Sequence, residues 1–380
     1  MRTRAGVNIA DLRLLAKRRL PRVLFDLLDG AAEDERALAL NLTRLREYSL
    51  VPRVLRAVAH RDQSTTLFGK TYSTFFGIAP TGFISLLRRD IELALATAAQ
   101  QANIPMILSG VSAKPIETIA PLAPDQVWSQ LYAAKDPKIN ADMVRRAQDA
   151  GAVALVWTVD IGAAAKHERL IRNGLGTPPS LSLRSKLEAL THPAWILEYL
   201  RGDMTEIGSW QPYVEPDAPP FAALKLFMSQ RFESLIWREF ETLRRLWKGP
   251  LIVKGILHPD DAARVAELGG DGVIVSNHGG LGLDRGPAAI DMLPGIVAAV
   301  GQKLPVMFDG GVRRGSDIVV ARCLGASFVF VGRATLYGAV AGGVPGALRA
   351  IEILKDEVDR TMGMIGCSNS TEFNTQFVQR

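Results

Sequence analysis

The segment Ser276-Asn-His-Gly-Gly-Leu-Gly-Leu-Asp284 sets a histidine before two glycines. That neighbourhood leaves the ring open to a small molecule, and histidine is the usual general base near neutral pH. The other four, His60, His167, His192 and His258, stand in no such setting and are read first as structural. Asp160 closes another apolar run and could orient the His278 ring and stabilise its protonated form; a turn cap is its plainer role. Two further segments, Asp309-Gly-Gly-Val-Arg-Arg-Gly-Ser316 and Val331-Gly-Arg333, combine glycine with arginine. Glycine lets backbone N–H groups approach an anion and arginine adds charge, so the pair reads as a phosphate site. The alternative is two glycine-rich turns with solvent-facing arginines.

These residues need a frame that gathers them. A unit of amphipathic helix, Gly, short apolar run and small polar residues recurs around Gly151, Gly269 and Gly325. Each glycine falls where a helix would stop, and each following run suits a buried parallel strand. Eight such runs are expected: Phe76 to Pro80, Pro105 to Ser109, Gln126 to Gln130, Val153 to Asp160, Leu251 to Lys254, Val273 to Ser276, Pro305 to Asp309 and Phe328 to Val331. Eight alternations favour a closed (β/α)8 TIM barrel over an open sheet. The ends of these strands are polar throughout: Thr81, Ser109, Gln130 with Tyr132, Thr158 with Asp160, Lys254, Ser276 with His278, Asp309 to Arg313, and Gly332 with Arg333. Barrel enzymes carry their chemistry at that face, and the last two loops are where barrels place a phosphate.

The chain has 380 residues, more than the roughly 250 of a minimal barrel. The surplus is assigned to an N-terminal helical cover (1–75, with helices over Ile9 to Leu20 and Val23 to Leu38) and an insertion after the fourth strand (161–222). The barrel itself spans 76–341 and a C-terminal helix and tail 342–380, all as a single domain. Thr177-Pro-Pro-Ser180 and Glu215-Pro-Asp-Ala-Pro-Pro220 bracket the insertion, and a helix over Glu233 to Trp247 leads into the fifth strand. Leu187 to Leu200 is apolar enough to lie on a membrane, but a partly helical lid packed on the barrel is preferred.

With 48% hydrophobic and 22% charged residues the chain is globular rather than disordered. A net charge of +6 suits an anionic ligand but is too weak and dispersed for nucleic acid. Two cysteines, Cys323 and Cys367, argue against a disulfide scaffold or a multi-cysteine metal site, so no metal is expected. No secretory leader or spanning helix is expected, which points to the cytoplasm, with attachment to the inner face of the membrane left open.

Taken together, Leu20-Pro-Arg-Val-Leu-Phe-Asp26, Gly30-Ala-Ala-Glu-Asp34, Ala79-Pro-Thr-Gly82, Ser129-Gln-Leu-Tyr132, Thr158-Val-Asp160, Ile252-Val-Lys-Gly255, Ser276-Asn-His-Gly-Gly280, Asp309-Gly-Gly-Val-Arg313 and Gly332-Arg333 resemble the FMN-dependent α-hydroxy acid dehydrogenase and oxidase family over nearly the whole chain. The resemblance implies FMN across the barrel mouth. Pro80, Thr81, Gly82, Ser109, Gln130, Thr158 and Ser276 would line the isoalloxazine ring and ribityl chain, and Asp309, Gly310, Gly311, Arg313, Gly332 and Arg333 the ribityl-phosphate end. Lys254 would lie near the ring's pyrimidine edge. It further implies that His278 takes the substrate hydroxyl proton as hydride passes to flavin N5, or a proton from the α-carbon in a carbanion route. Asp160 would support the imidazolium and Tyr132 would contact substrate.

The substrate side departs from the family. Leu281 stands where the family has an arginine three residues after the catalytic histidine, His167 where it has a second arginine, and Leu27 where it has an active-site tyrosine. Losing a bidentate clamp on a carboxylate should cost several kcal/mol. Either His167 in protonated form, with Lys166, Arg169 or Arg285, replaces the clamp, or the substrate has no carboxylate there; the apolar Leu27 and Leu281 favour the second. The expected activity is FMN-dependent oxidation of a hydroxyl-bearing carbon, α-hydroxy acid-like or bulkier and more apolar. An amine or modified-peptide oxidase, and a non-catalytic flavin-binding protein, are the alternatives. The resemblance adds a homotetramer and an electron acceptor that is a quinone, carrier protein or oxygen; Gly82 is more like dehydrogenase than oxidase members.

Overall fold

The computed structural model describes residues 6–175, 182–202, 207–219, 221–231 and 235–380. The eight apolar runs pair in parallel and close on themselves as β1 (Phe76–Ile78), β2 (Met106–Leu108), β3 (Val127–Leu131), β4 (Leu155–Thr158), β5 (Leu251–Ile256), β6 (Gly272–Val275), β7 (Val306–Asp309) and β8 (Phe328–Val331), in chain order around the ring. The expected (β/α)8 barrel is therefore the fold. These strands are buried on both faces, inward against one another and outward under helices, which is why they read as unbroken apolar runs. Trp128, Phe328 and Phe330 fill the interior, with Trp128 edge-on to Phe330 at 5.3 Å between ring centres. Burying each of the phenylalanines contributes about 1.5–3 kcal/mol.

Because all strands are parallel, their carboxyl ends share one face. The ladder is irregular at one functional point, where pairing of β5 with β6 shifts between Lys254 and Ile256. Gly255 sits there at φ +103°, and a Cβ on it would stand 2.5 Å from Cβ of Asp160. Only glycine lets Asp160 lie against this strand next to Lys254.

The N-terminal cover differs from expectation. Its first helix, α1 (Ile9–Arg19), is capped by Asn8, whose side chain accepts from the Asp11 N–H at 2.9 Å. The single helix expected over Val23 to Leu38 is instead α2 (Arg22–Asp29), a loop, and α3 (Arg36–Arg46). Tertiary contacts break it. The Gly30 carbonyl accepts from Arg333 at 2.6 Å, Ala32 N–H donates to Gly280, and Glu33 N–H donates to Lys166.

The insertion is partly helical; among its described residues Glu168–Arg172, Leu183–Ala189 and Pro193–Leu200 are helices, the last two parted at Thr191 and His192 ahead of Pro193. These dock on the cover and on the turn after β1. Glu188 accepts from the Arg22 N–H at 3.1 Å, Glu198 pairs with Arg19, and the Trp195 indole donates to the Leu86 carbonyl at 2.9 Å. The next helix, Ala222–Gln230, packs over the loop after β3, where the Gln230 side chain accepts from the Asp136 N–H at 3.0 Å. Its Phe227 meets Trp210 at 5.2 Å between ring centres, in a second cluster with Val111 and Ile139. The helix before β5 is Trp237–Leu246, shorter than expected; Glu233 and the marker Thr177 to Ser180 lie outside the described residues. After β8 the helix Arg333–Ile365 is interrupted at Gly343 (φ +61°). Among the described residues, no helix is long and apolar enough to cross a membrane.

Candidate functional site

Every strand-end residue singled out in the sequence lies at the carboxyl face of the barrel. His278 occupies the turn after β6 in a left-handed conformation, φ +56°, unusual for a residue with a side chain. Its backbone N–H donates to Ser276 Oγ at 3.0 Å, which holds the turn. This is strain placed at a site, and it aims the ring inward. Nδ1 faces Asp160 Oδ1 at 2.9 Å, so the carboxylate fixes the proton on Nδ1 and leaves Nε2 as the basic atom. Tyr132 Oη lies 3.4 Å from that Nε2. Burial pushes the Asp160 carboxyl up, but the His278 and Lys254 charges and the hydrogen bond outweigh it and hold it below the ordinary carboxylate range. Burial and the Asp160 charge push the Tyr132 phenol up, so it stays protonated.

A buried chain of polar groups continues from this pair. Lys254 Nζ donates to Ser276 Oγ at 2.9 Å, and Ser276 donates to Asp309 Oδ1 at 2.5 Å, with Lys254 3.5 Å from the other Asp309 oxygen. On the opposite strands Gln130 Nε2 donates to Thr158 Oγ1 at 2.7 Å while its carbonyl accepts from Gly110 N–H at 3.1 Å. Ser109 Oγ accepts from the Val111 N–H. Asn277 and Asn41 exchange side-chain hydrogen bonds of 2.7 and 2.9 Å, tying α3 beneath the His278 turn; Asn41 carried no sequence signal for that role.

One cavity at the mouth is lined by Pro80, Thr81, Gly82, Lys254, His278, Asp309, Gly310, Gly311, Arg313, Gly332 and Arg333. Arg333 is deeply buried and donates to the carbonyls of Leu28, Gly279 and Gly30 at 2.6–3.1 Å. Burial, then the nearby Arg313 charge, push its pKa down to about 10. Among the described residues neither guanidinium has a carboxylate within ion-pair distance. Two arginines side by side on one cavity, with glycine backbone beside them, are stabilised by a polyvalent anion. Gly311 lets that loop lie against α3, since a Cβ on it would sit 2.6 Å from the Asn41 carbonyl. The donor set therefore fits a ribityl phosphate, and the Lys254, Gln130 and Ser109 groups fit a polar heterocycle.

A second cavity, of about 420 Å³, opens from His278 and Tyr132 on the other side. Leu27, Leu281 and His167 line it. Phe227, Met228 and Leu235 line it too and were not anticipated, nor was Arg231. The one available signal was spacing: Arg231 follows Phe227 by four residues and continues its face.

Of the cations considered for the missing clamp, His167 and Arg169 line this cavity, whereas Lys166 and Arg285 are not among its lining residues. Burial pushes the His167 imidazole pKa down, only partly opposed by a hydrogen bond to Ala31, which favours the neutral ring. Lys166 is exposed and paired with Glu168 at 2.9 Å. Arg169 reaches the cavity wall but is held by Asp26 and Asp29, each at 3.5 Å, and by Glu35. Arg285 is exposed and lies outside the cavity lining.

The sequence profile described as FMN-dependent dehydrogenase matches residues 16–380. The chain is 36% identical to an L-lactate dehydrogenase of Caulobacter sp. (strain K31), covering 98% of both chains. It is 37% identical to the (S)-mandelate dehydrogenase of Pseudomonas putida, over 98% of this chain and 93% of that one. Among solved structures, the monotopic membrane protein (S)-mandelate dehydrogenase superposes with a TM-score of 0.94 at 37% identity over 99% of each chain. A mandelate oxidase superposes with a TM-score of 0.82 at 32% identity, over 99% of this chain and 98% of that one. These likenesses set aside the non-catalytic alternative: the protein is an oxidoreductase with FMN as its cofactor, acting on a hydroxyl-bearing carbon. With barrel, phosphate loops and histidine–aspartate pair in one continuous match, the chain belongs to the FMN-dependent dehydrogenase family.

Proposed function

We propose that this protein oxidises the hydroxyl-bearing carbon of a substrate with a bulky apolar body, rather than a small 2-hydroxy acid such as lactate. The observation that carries the reading is the cavity of about 420 Å³ beside His278, walled by Leu27, Leu281, Phe227 and Met228. When bound, FMN accepts the electron pair leaving the substrate carbon. His278 Nε2 takes the hydroxyl proton, and Asp160 holds the ring in that tautomer and stabilises the imidazolium. Tyr132 positions the substrate oxygen beside Nε2. Lys254 supplies a fixed positive charge at the strand end, where negative charge develops. Arg313 and Arg333 with Gly310, Gly311 and Gly332 hold the cofactor phosphate, and Asp309 orients Ser276 and Lys254.

Anaerobic bleaching of the flavin, screened over glycolate, lactate, mandelate, longer hydroxy acids, apolar secondary alcohols and amines, tests this. Bulky apolar hydroxy compounds should bleach it at lower concentration than lactate or glycolate. Bleaching by lactate, glycolate or mandelate at ordinary concentrations would sink the claim that the clamp is lost, and bleaching by amines alone would move the activity to amine oxidation.

The electron acceptor we infer is a quinone or carrier protein rather than oxygen, supported by Gly82; stopped-flow reoxidation by oxygen against a quinone decides. We also infer peripheral attachment at the inner face of the membrane. Exposed Leu183, Leu187, Leu190, Leu197 and Leu200 on the two insertion helices support it, as does the likeness to a monotopic membrane enzyme. Co-sedimentation with anionic vesicles should be lost when Leu187, Leu190, Leu197 and Leu200 become serine. A tetramer, by family likeness, is checked by analytical ultracentrifugation.

A further inference from the structure

We propose that Arg231 anchors a carboxylate of the substrate within this cavity, apart from the Leu27 and Leu281 wall, so that hydroxyl and carboxylate are separated by an apolar spacer. The proposal rests on the reading of this cavity as the substrate site and names what that site selects. Arg231 lies just beyond the helix Ala222–Gln230, at an isolated antiparallel bridge to Ala134, and lines the same cavity as His278 and Tyr132. One guanidinium nitrogen donates to the Ile161 carbonyl at 3.2 Å, which fixes the group beside the segment that carries Asp160. Its charge is felt at Tyr132, where it favours the ionised phenol against burial and Asp160.

Three observations single it out. Among the described residues Arg231 has no carboxylate within ion-pair distance, whereas the other arginine on this wall, Arg169, is neutralised by Asp26, Asp29 and Glu35. The position that would receive a carboxylate on the carbon next to the hydroxyl is walled by Leu27 and Leu281, with His167 pushed toward its neutral form. Phe227, Met228, Leu235 and Ile161, which line the same cavity, are apolar. An anion is thus disfavoured at the Leu27 and Leu281 wall and favoured at Arg231, where an arginine fork can take a carboxylate by two hydrogen bonds. The selected class is an amphipathic hydroxy acid whose carboxylate is not adjacent to its hydroxyl.

The test titrates oxidised holoenzyme with non-oxidisable probes, straight-chain carboxylates of four to ten carbons and the matching primary amides, read by perturbation of the flavin absorbance. In wild type at least one chain length should bind as carboxylate roughly tenfold more tightly than as amide, the usual weight of one charge-assisted hydrogen bond. Arg231→Gln should abolish that preference at every length, and Arg231→Lys should keep part of it, with FMN retained in both. Equal binding of carboxylate and amide in wild type, or a preference surviving in Arg231→Gln, overturns the assignment while the cavity reading stands. If no probe perturbs the flavin or competes with its reduction by a substrate, the cavity reading itself falls, and this proposal with it.

Discussion

The two sides of the barrel mouth are built from different parts of the chain. The cofactor side comes from strand ends and the first residues after them. Lys254, Ser276 and Asp309 stand on three consecutive strands or directly after them and form one buried hydrogen-bonded series, while Gln130 and Thr158 pair across two more. The cavity read as the substrate side borrows Leu27 from α2 and His167, Phe227 and Arg231 from the excursion between β4 and β5, and adds Phe83, Val111, Tyr132 and Leu281 from barrel loops. Rigid strands fix the first set, and changing any member leaves a buried partner unsatisfied. The second set meets a cavity on an apolar wall, where a substitution alters shape and charge without dismantling a network. On the proposed reading the barrel fixes the chemistry and what lies over it sets selectivity, a division common to loop-built sites on rigid scaffolds.

The largest expected effect breaks the part the two sides share. His278→Asn should lower the rate of flavin reduction by about 10²–10⁴, the usual contribution of a general base, while FMN stays bound with an unchanged oxidised spectrum. Loss of the cofactor in that variant would instead make His278 a structural residue of the cofactor side. Next in size, Arg313→Leu should weaken FMN binding about 10- to 100-fold, by removal of a charge-assisted contact, in equilibrium dialysis of the apoprotein. Probe binding in the reconstituted variant should be unchanged, which keeps the two sides separable.

How far each side was legible in the sequence follows from the same physics. β1 to β8 are buried on both faces, so they are contiguous apolar runs, and their polar successors stand out. The cavity wall carries no such signature. Phe227 and Arg231 look like any amphipathic helix followed by a charge, and only packing of that helix against Trp210 and Tyr132 brings them to His278. The break between α2 and α3 was equally hidden, because Arg333, some 300 residues away, takes the carbonyls of Leu28 and Gly30. The left-handed backbone at His278 is visible only in the fold, since Ser276 and Asn277 anchor it through Lys254, Asp309 and Asn41.

Reversing the change on the substrate side sharpens the contrast. Leu281→Arg with His167→Arg should raise kcat/KM for mandelate roughly tenfold or more, because each guanidinium can add a charge-assisted bond to the adjacent carboxylate. FMN affinity should not move. If activity on mandelate is already high and the double variant leaves it unchanged, the apolar wall does not set selectivity.

The smallest effect concerns His167 alone. Burial holds its folded-state pKa below the ordinary histidine value, so the folded protein binds fewer protons here than the unfolded chain. The resulting contribution is present above an unfolded pKa near 6.5, and is lost as pH falls from there through the depressed folded value. The melting temperature of the wild type should therefore fall more steeply between about pH 7 and pH 5 than that of His167→Gln, which cannot take up the proton. Parallel slopes would mean that the ring reaches water in the folded state. It could then become cationic, and the cavity wall beside Leu27 and Leu281 would regain at acid pH the positive charge that its sequence lacks.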